Sequence, residues 1–404
     1  MAKTVLVRGA RQLLTLNGPP GPRRGPSLGN VGLIEDGSIL IVNGVIASVG
    51  PTRRVENLAE SRRATEIDAT GRVVMPAFVD SNTHLLDSGA SGNLGNHEGH
   101  EPKRPNVRRL GIEARRILTG CVRHGSGTVD AHSGCGTDEN VELRMLRAAA
   151  SLDQQPANVV PTYSIPAARP DEPLDGTTYL DWLDQHLLPR IHSKRLAQFV
   201  GITCGTERLS LNDLQRLIEM CQRHGLMVRL QVEDKELAGA IPLAISKHVL
   251  AMEGLNRVSS EEAAVLAVSR VVATLMPATT LQTRAEVPPA RMMIDAGVAV
   301  ALASGFRHHR SGTFNMQMVI ALACSSLGMT TAEAISAATI NGACALHMGD
   351  RVGSLQFGKD ADLLILNVPD YREMSWYFGV NLVSLSMRKG NVVYNESQVQ
   401  WPAA

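Results

Sequence analysis

The sequence predicts an α/β protein: a (β/α)8 TIM-like barrel over residues 77–349, with a small β-sandwich domain that both chain ends, 1–76 and 350–404, build together. Three observations carry this. Apolar β-type runs alternate with helical stretches through the middle of the chain, seven or eight times, which is the pattern of parallel strands joined by crossover helices. The first 76 residues contain only short β-type runs punctuated by glycine. The last 55 or so return to that character, so the two ends are expected to pair.

The elements follow in order. "TVLVRG", "GSILIVNGVIASVG" and "GRVVMP" are the N-terminal strands, interrupted by the Pro/Gly-rich loop "NGPPGPRRGPSLGN". The barrel runs are "FVDSNTH", "GSGTVDA", "NVVPTYS", "FVGITC", "LMVRLQV", "RVVATLMP" and "VAVALAS". Between them lie helical segments such as "LNDLQRLIEMCQRHG", whose apolar residues recur at helical spacing. In "DENVELRMLRAAASL" the same spacing marks a core-facing stripe and nothing more. The tail strands are "GSLQFGKDADLLILN" and "SLSMRKGNVVYNE".

Composition excludes several function classes. With 40 basic and 39 acidic side chains the net charge is +1, so bulk electrostatics predict neither a nucleic-acid nor an anionic-membrane partner and leave a small-molecule ligand. The six cysteines are scattered, without a CxxC pair, which predicts reduced thiols and a cytoplasmic protein. No N-terminal stretch has the apolar core of a signal peptide, and no run reaches the ~18 apolar residues of a membrane helix.

The C-terminal segment "MTTAEAISAATINGACALHMGDRVGSLQFGKDADLLILNVPDYREMSWYFGVNLV" resembles the amidohydrolase superfamily and, within it, the imidazolonepropionases, which open the imidazolone ring in histidine breakdown. "GTVDAHSGCGTDENVELRML" and "GITCGTERLS" are similar to further barrel segments of that family. The resemblance implies a divalent metal, zinc or iron, held by histidines and an aspartate at the strand ends, with a metal-bound water as nucleophile. At those positions this chain differs. The first strand has Asn82-Thr83-His84 in place of His-x-His; the fifth has Gln231 and Asp234 in place of a histidine and a glutamate; the sixth-strand histidine falls at or near Glu253; and Gly305 in "LASGFRHH" replaces the aspartate. Ala167 in "PAARPDE" stands where the fourth strand would carry histidine. An amide is a weak metal ligand and glycine offers no base. No metal held in the family's way is therefore expected.

The candidate catalytic groups are Asp234, His84, Glu253 and His132, and the candidate ligand-binding groups are Asn82, Gln231, Arg307, His308 and His309. Asp130, His132, Asp234 and Glu253 fall near strand ends, where they could form a metal-free acid/base pair or be tied to Arg229, Arg307 or Arg310 as structural ion pairs. His97 and His100, with His84 and His132, could rebuild a metal site, and Cys135 lacks a visible partner base. Three readings stand: a hydrolase of a C–N bond in a cyclic amide or related molecule, working by metal-free acid/base chemistry or with an unconventional metal, a catalytically silent relative that binds a small ligand or serves as a partner subunit, and ordinary metal-dependent imidazolone hydrolysis. The replaced ligands argue against the third. The resemblance also implies a homodimer.

Overall fold

A computed structural model describes residues 3–86, 107–133, 139–153, 156–165, 177–204, 209–232, 239–307 and 311–398. The N-terminal strands are β1 (Thr4–Leu14), β2 (Leu33–Val42), β3 (Val45–Pro51), β4 (Thr65–Asp68) and β5 (Val73–Pro76). The barrel strands follow: β6 (Phe78–Asp80), then the short rim strand β7 (Thr83–His84), β8 (Ser126–His132), β9 (Asn158–Ile165), β10 (Phe199–Cys204), β11 (Met227–Val232), β12 (Ala251–Glu253), β13 (Val272–Leu275), β14 (Ala299–Leu302) and a second rim strand, β15 (Phe306–Arg307). The chain closes with β16 (Leu363–Leu366), β17 (Val383–Arg388) and β18 (Asn391–Asn395).

Strands from both chain ends share one sheet, ordered β18-β17-β16-β5-β1-β2-β3 with β4 paired to β1. The second sheet runs β14-β13-β12-β11-β10-β9-β8-β6. Its pairs are all parallel, so it is a nearly closed (β/α)8 barrel, as the alternating pattern predicts. Its seam is closed from the rim. β15 pairs with β7, the Gly305 N–H donates to Asn82 O at 3.1 Å, and the Ser304 N–H donates to Asp80 Oδ1 at 2.9 Å.

Local chemistry explains the helices. Helix Leu211–Arg223 starts at a capping box between Ser210 and Asp213 and buries Leu214, Leu217, Ile218 and Cys221, one face at helical spacing. The same box starts helix Ser260–Ala267 at Ser259 and Glu262, and helix Thr331–Ser336 at Thr330 and Glu333. Along each barrel strand the residues alternate. Val228, Leu230, Met252, Ala273, Val300 and Leu302 face out into the helix layer and its main core, while Arg229, Gln231 and Glu253 take the inward positions.

Sheet and barrel meet at Asp362, which accepts from Asn158 Nδ2 at 2.8 Å and from the Lys389 N–H at 2.7 Å. Burial pushes its carboxyl up to about 6. No helix among the described residues is long and apolar enough to cross a membrane.

Candidate active site

The inward positions at the C-terminal ends of the strands form two tiers. The lower tier is a buried ionic knot. The Arg229 guanidinium on β11, 1% exposed, donates from one terminal nitrogen to Asp130 Oδ2 at 2.9 Å and from the other to Glu253 Oε1 and to the Ser81 carbonyl. Glu253 Oε2 accepts from the Asn82 amide, and Thr162 Oγ1 donates to Asp130 Oδ1 at 2.6 Å. Such a knot survives burial only because each charge is both paired and hydrogen-bonded. Burial drives the Asp130 carboxyl up, but His132 and Arg229 beside it outweigh burial and hold it below the usual carboxylate range. Burial likewise works against the Arg229 cation, and Glu253 and Asp130 overcome it, raising its pKa.

Two residues further along the same strands lies the upper tier. His132 follows Asp130 on β8, Ser164 follows Thr162 on β9, and Gln231 follows Arg229 on β11. His132 Nε2 lies 2.7 Å from Asp130 Oδ2, a close contact rather than an aligned hydrogen bond, and His132 Nδ1 lies 3.0 Å from Ser164 Oγ. The His84 ring packs against the His132 ring, with centroids 4.8 Å apart. Ser164, Thr203 and Gln231 are half-buried, so this tier is where a ligand entering the mouth would make contact. Gly201 makes room for His132: a Cβ there would stand 3.2 Å from the ring's Cε1.

Asp80 sits at the seam. Its Oδ1 accepts from Ser304, its Oδ2 has no hydrogen-bond partner among the described residues, and burial pushes its carboxyl up to about 7.

The structure thus brings Asn82, Glu253, His84 and His132 to one barrel end. Asn82 and Glu253 are engaged with each other, and both Glu253 oxygens are taken. Gln231 is the penultimate residue of β11, and Arg307 pairs in register with His84 at the rim. Asp234, His308 and His309 lie outside the described residues, as do His97, His100, Cys135 and Ala167. Gly305 has φ +61, and a Cβ there would collide with Thr279 Oγ1 and reach 2.9 Å from Met276 Sδ. The seam therefore favours glycine where the resemblance implies an aspartate.

Ser164 carries no motif in the sequence, and Arg229 is expected there only as a structural ion partner. A signal for Arg229 exists: in "LMVRLQV" an arginine between two apolar neighbours must point into the barrel and find carboxylates there. Among the described residues, the buried carboxylates do not suit the implied metal. A divalent ion between Asp130 and Glu253 would compete with the guanidinium for the same oxygens and be repelled by it, by roughly 8 kcal/mol at 4 Å and an effective dielectric of 20. Among the described residues no group of three or more His, Cys, Asp or Glu side chains is arranged to hold a metal ion. A cleft of about 980 Å³ on the outer face, lined by Arg108, Arg115, Arg144 and Arg147, draws its walls from two helices and no strand end.

An eight-stranded parallel barrel with polar side chains gathered at the strand ends defines a barrel of the enzyme type. The Amidohydrolase family model matches residues 73–393, and the chain belongs to that family. Within it the chain is imidazolonepropionase-like. It is 32% identical over 424 residues to the imidazolonepropionase of Geobacillus kaustophilus, covering 98% of this chain and 99% of that one. It is 32% identical over 416 residues to that of Porphyromonas gingivalis W83, covering 97% of each. Among solved structures, a triazine hydrolase variant superposes with a TM-score of 0.75 at 17% identity, covering 97% of this chain and 95% of that one. Escherichia coli guanine deaminase does so at 0.72 and 17%, covering 98% and 99%. At such identity these two establish the fold.

Proposed function

We propose that this amidohydrolase cleaves a C–N bond of a cyclic amide or related small molecule without the family's divalent metal. The observation that supports this most is the place of Arg229: a fixed cation spans Asp130 and Glu253, two carboxylates at the strand ends. Chemistry then falls to the half-open tier above, where His132 contacts Asp130 and can take up and return a proton at the ligand. Glu253 holds the arginine and is itself held by the Asn82 amide. Gln231 and Thr203, beside each other in strand register, supply neutral hydrogen-bonding groups suited to an uncharged polar ring.

The test is metal analysis of the purified protein together with assays on imidazolone propionate and simple cyclic amides, with and without a chelator. Turnover that the chelator leaves unchanged is expected. Turnover that depends on a stoichiometric metal would overturn the reading.

A second reading, a silent relative that binds a small ligand or acts as a partner subunit, is favoured by one observation. Both Glu253 oxygens are committed to Arg229 and Asn82, so this acid has no oxygen free for a substrate. Ligand binding with no turnover across the panel would decide for it.

A further inference from the structure

We infer that Ser164 is a nucleophile activated by His132 and Asp130, so that hydrolysis passes through an ester on the Ser164 hydroxyl. The inference rests on the metal-free hydrolase reading and deepens it. Three groups stand in contact and rise in exposure: Asp130 is fully buried, His132 is 4% exposed, and Ser164 is half-buried near the end of β9. The spacings are 2.7 Å from Asp130 Oδ2 to His132 Nε2 and 3.0 Å from His132 Nδ1 to Ser164 Oγ. Both lie within the reach that nucleophile–base–orienter arrangements require.

Electrostatics set the roles. A carboxylate 2.7 Å from Nε2 requires a proton on that nitrogen, because two facing lone pairs would repel. The neutral ring then presents its Nδ1 lone pair to the Ser164 hydroxyl, which donates to it. Asp130 is a positioning residue, kept ionised and in place by Arg229 and Thr162. The contact of Nε2 with Asp130 is bent, and such bonds commonly align only when substrate is bound. Gly201 keeps the channel wide enough for the ring, since the nearest atom to a Cβ there belongs to His132.

The steps balance. Ser164 Oγ attacks the amide carbonyl carbon as its proton passes to His132 Nδ1. The C–N bond breaks as His132 returns that proton to the ring nitrogen, leaving an ester on Ser164 and the amine on the same opened chain. Water attacks the ester and gives a proton to His132; the acid leaves and Ser164 regains its hydrogen. The hydroxyl of Thr203 and the amide of Gln231, on the next two strands, are the donors available to the carbonyl oxygen as it gains charge.

The experiment is labelling of the full chain with an alkyl fluorophosphonate in the presence of a chelator, read by intact mass and peptide sequencing. Oγ displaces fluoride from phosphorus, and the proton leaves through His132. One adduct per chain on Ser164 is expected, with no adduct in Ser164→Ala and labelling slowed by about 100-fold or more in His132→Gln. An unlabelled wild type, an adduct mapped to another residue, or equal labelling of Ser164→Ala would overturn the inference. Mapping the wild-type adduct does not depend on any variant folding. Chelator-resistant amide hydrolysis with Ser164 unlabelled overturns the nucleophile and leaves the hydrolase standing. Labelling at Ser164 with no amide turned over supports the nucleophile and removes cyclic amides as the substrate.

Discussion

The two tiers of the barrel mouth are one strand step apart and chemically opposite. Below, Asp130, Arg229, Glu253 and Asn82 pair with one another in a buried knot. Above, His132, Ser164, Thr203 and Gln231 keep polar groups turned toward the open end of the barrel, two of the three half-buried ones uncommitted to any neighbour named above. The difference separates stability from reactivity: the lower tier holds geometry, and the upper tier is free to change partners when a ligand arrives. A metal would have merged the two functions in one ion. In the proposed reading they are divided between a guanidinium and an imidazole.

The strongest way to break this division is to remove the arginine. Arg229→Met leaves Asp130 and Glu253 buried without their cation, and a loss of about 3–5 kcal/mol in urea unfolding is expected. The same variant removes the charge that opposes a divalent ion, so added zinc should raise its melting temperature and leave that of wild type unchanged. Equal stability of Arg229→Met and wild type would mean that the knot holds nothing.

Asp80, at the seam under the mouth, gives a pH signature. Its carboxyl titrates at about 7 in the fold, against an ordinary 3.8, so the folded chain binds this proton more tightly than the unfolded one. The associated stability is complete below pH 4 and is lost as pH rises through 7. Over that window the wild type should lose, relative to Asp80→Asn, on the order of 4 kcal/mol of unfolding free energy. Parallel pH profiles for the two proteins would refute a buried, proton-holding Asp80.

Much of the fold was legible in the residues, and for physical reasons. Period-two runs separated by amphipathic helices leave few arrangements besides a parallel barrel, and the glycine-punctuated strands at both ends do share one sheet. The strand ending in Glu253 did not stand out as a run because it spans only Ala251–Glu253. At the site, Asn82, His84, Gln231 and Glu253 could be picked out through the family resemblance, and His132 from its place near a strand end. The knot could not, since Arg229 meets Asp130 from 99 residues away across the barrel. Pairing of that kind depends on strand stagger, which no local pattern encodes. Ser164 looked like one more small strand residue until the alternation with Tyr163 and Ile165, both in the outward core, set it facing in.

Smaller effects sharpen the contrast. Gly201→Ala places a methyl 3.2 Å from the His132 ring, and a cost of about 1–2 kcal/mol is expected together with slower fluorophosphonate labelling, because the ring must shift away from Ser164. Smallest in stability is Gln231→Ala in the upper tier. It should change unfolding free energy by less than about 0.5 kcal/mol while lowering turnover of any hydrolysed amide by roughly 10-fold, as befits a single lost hydrogen-bond donor worth ~1.4 kcal/mol. A stability loss as large as that of Arg229→Met would erase the distinction between tiers.

The central claim is that the cation at the heart of this barrel belongs to the chain. It is tested most directly by an anomalous difference map, at the zinc edge, from crystals grown with zinc in excess. The account expects no peak between Asp130 and Glu253, with the guanidinium of Arg229 lying across both. A peak there, with Arg229 swung aside and His84 or His132 turned onto the ion, would contradict it.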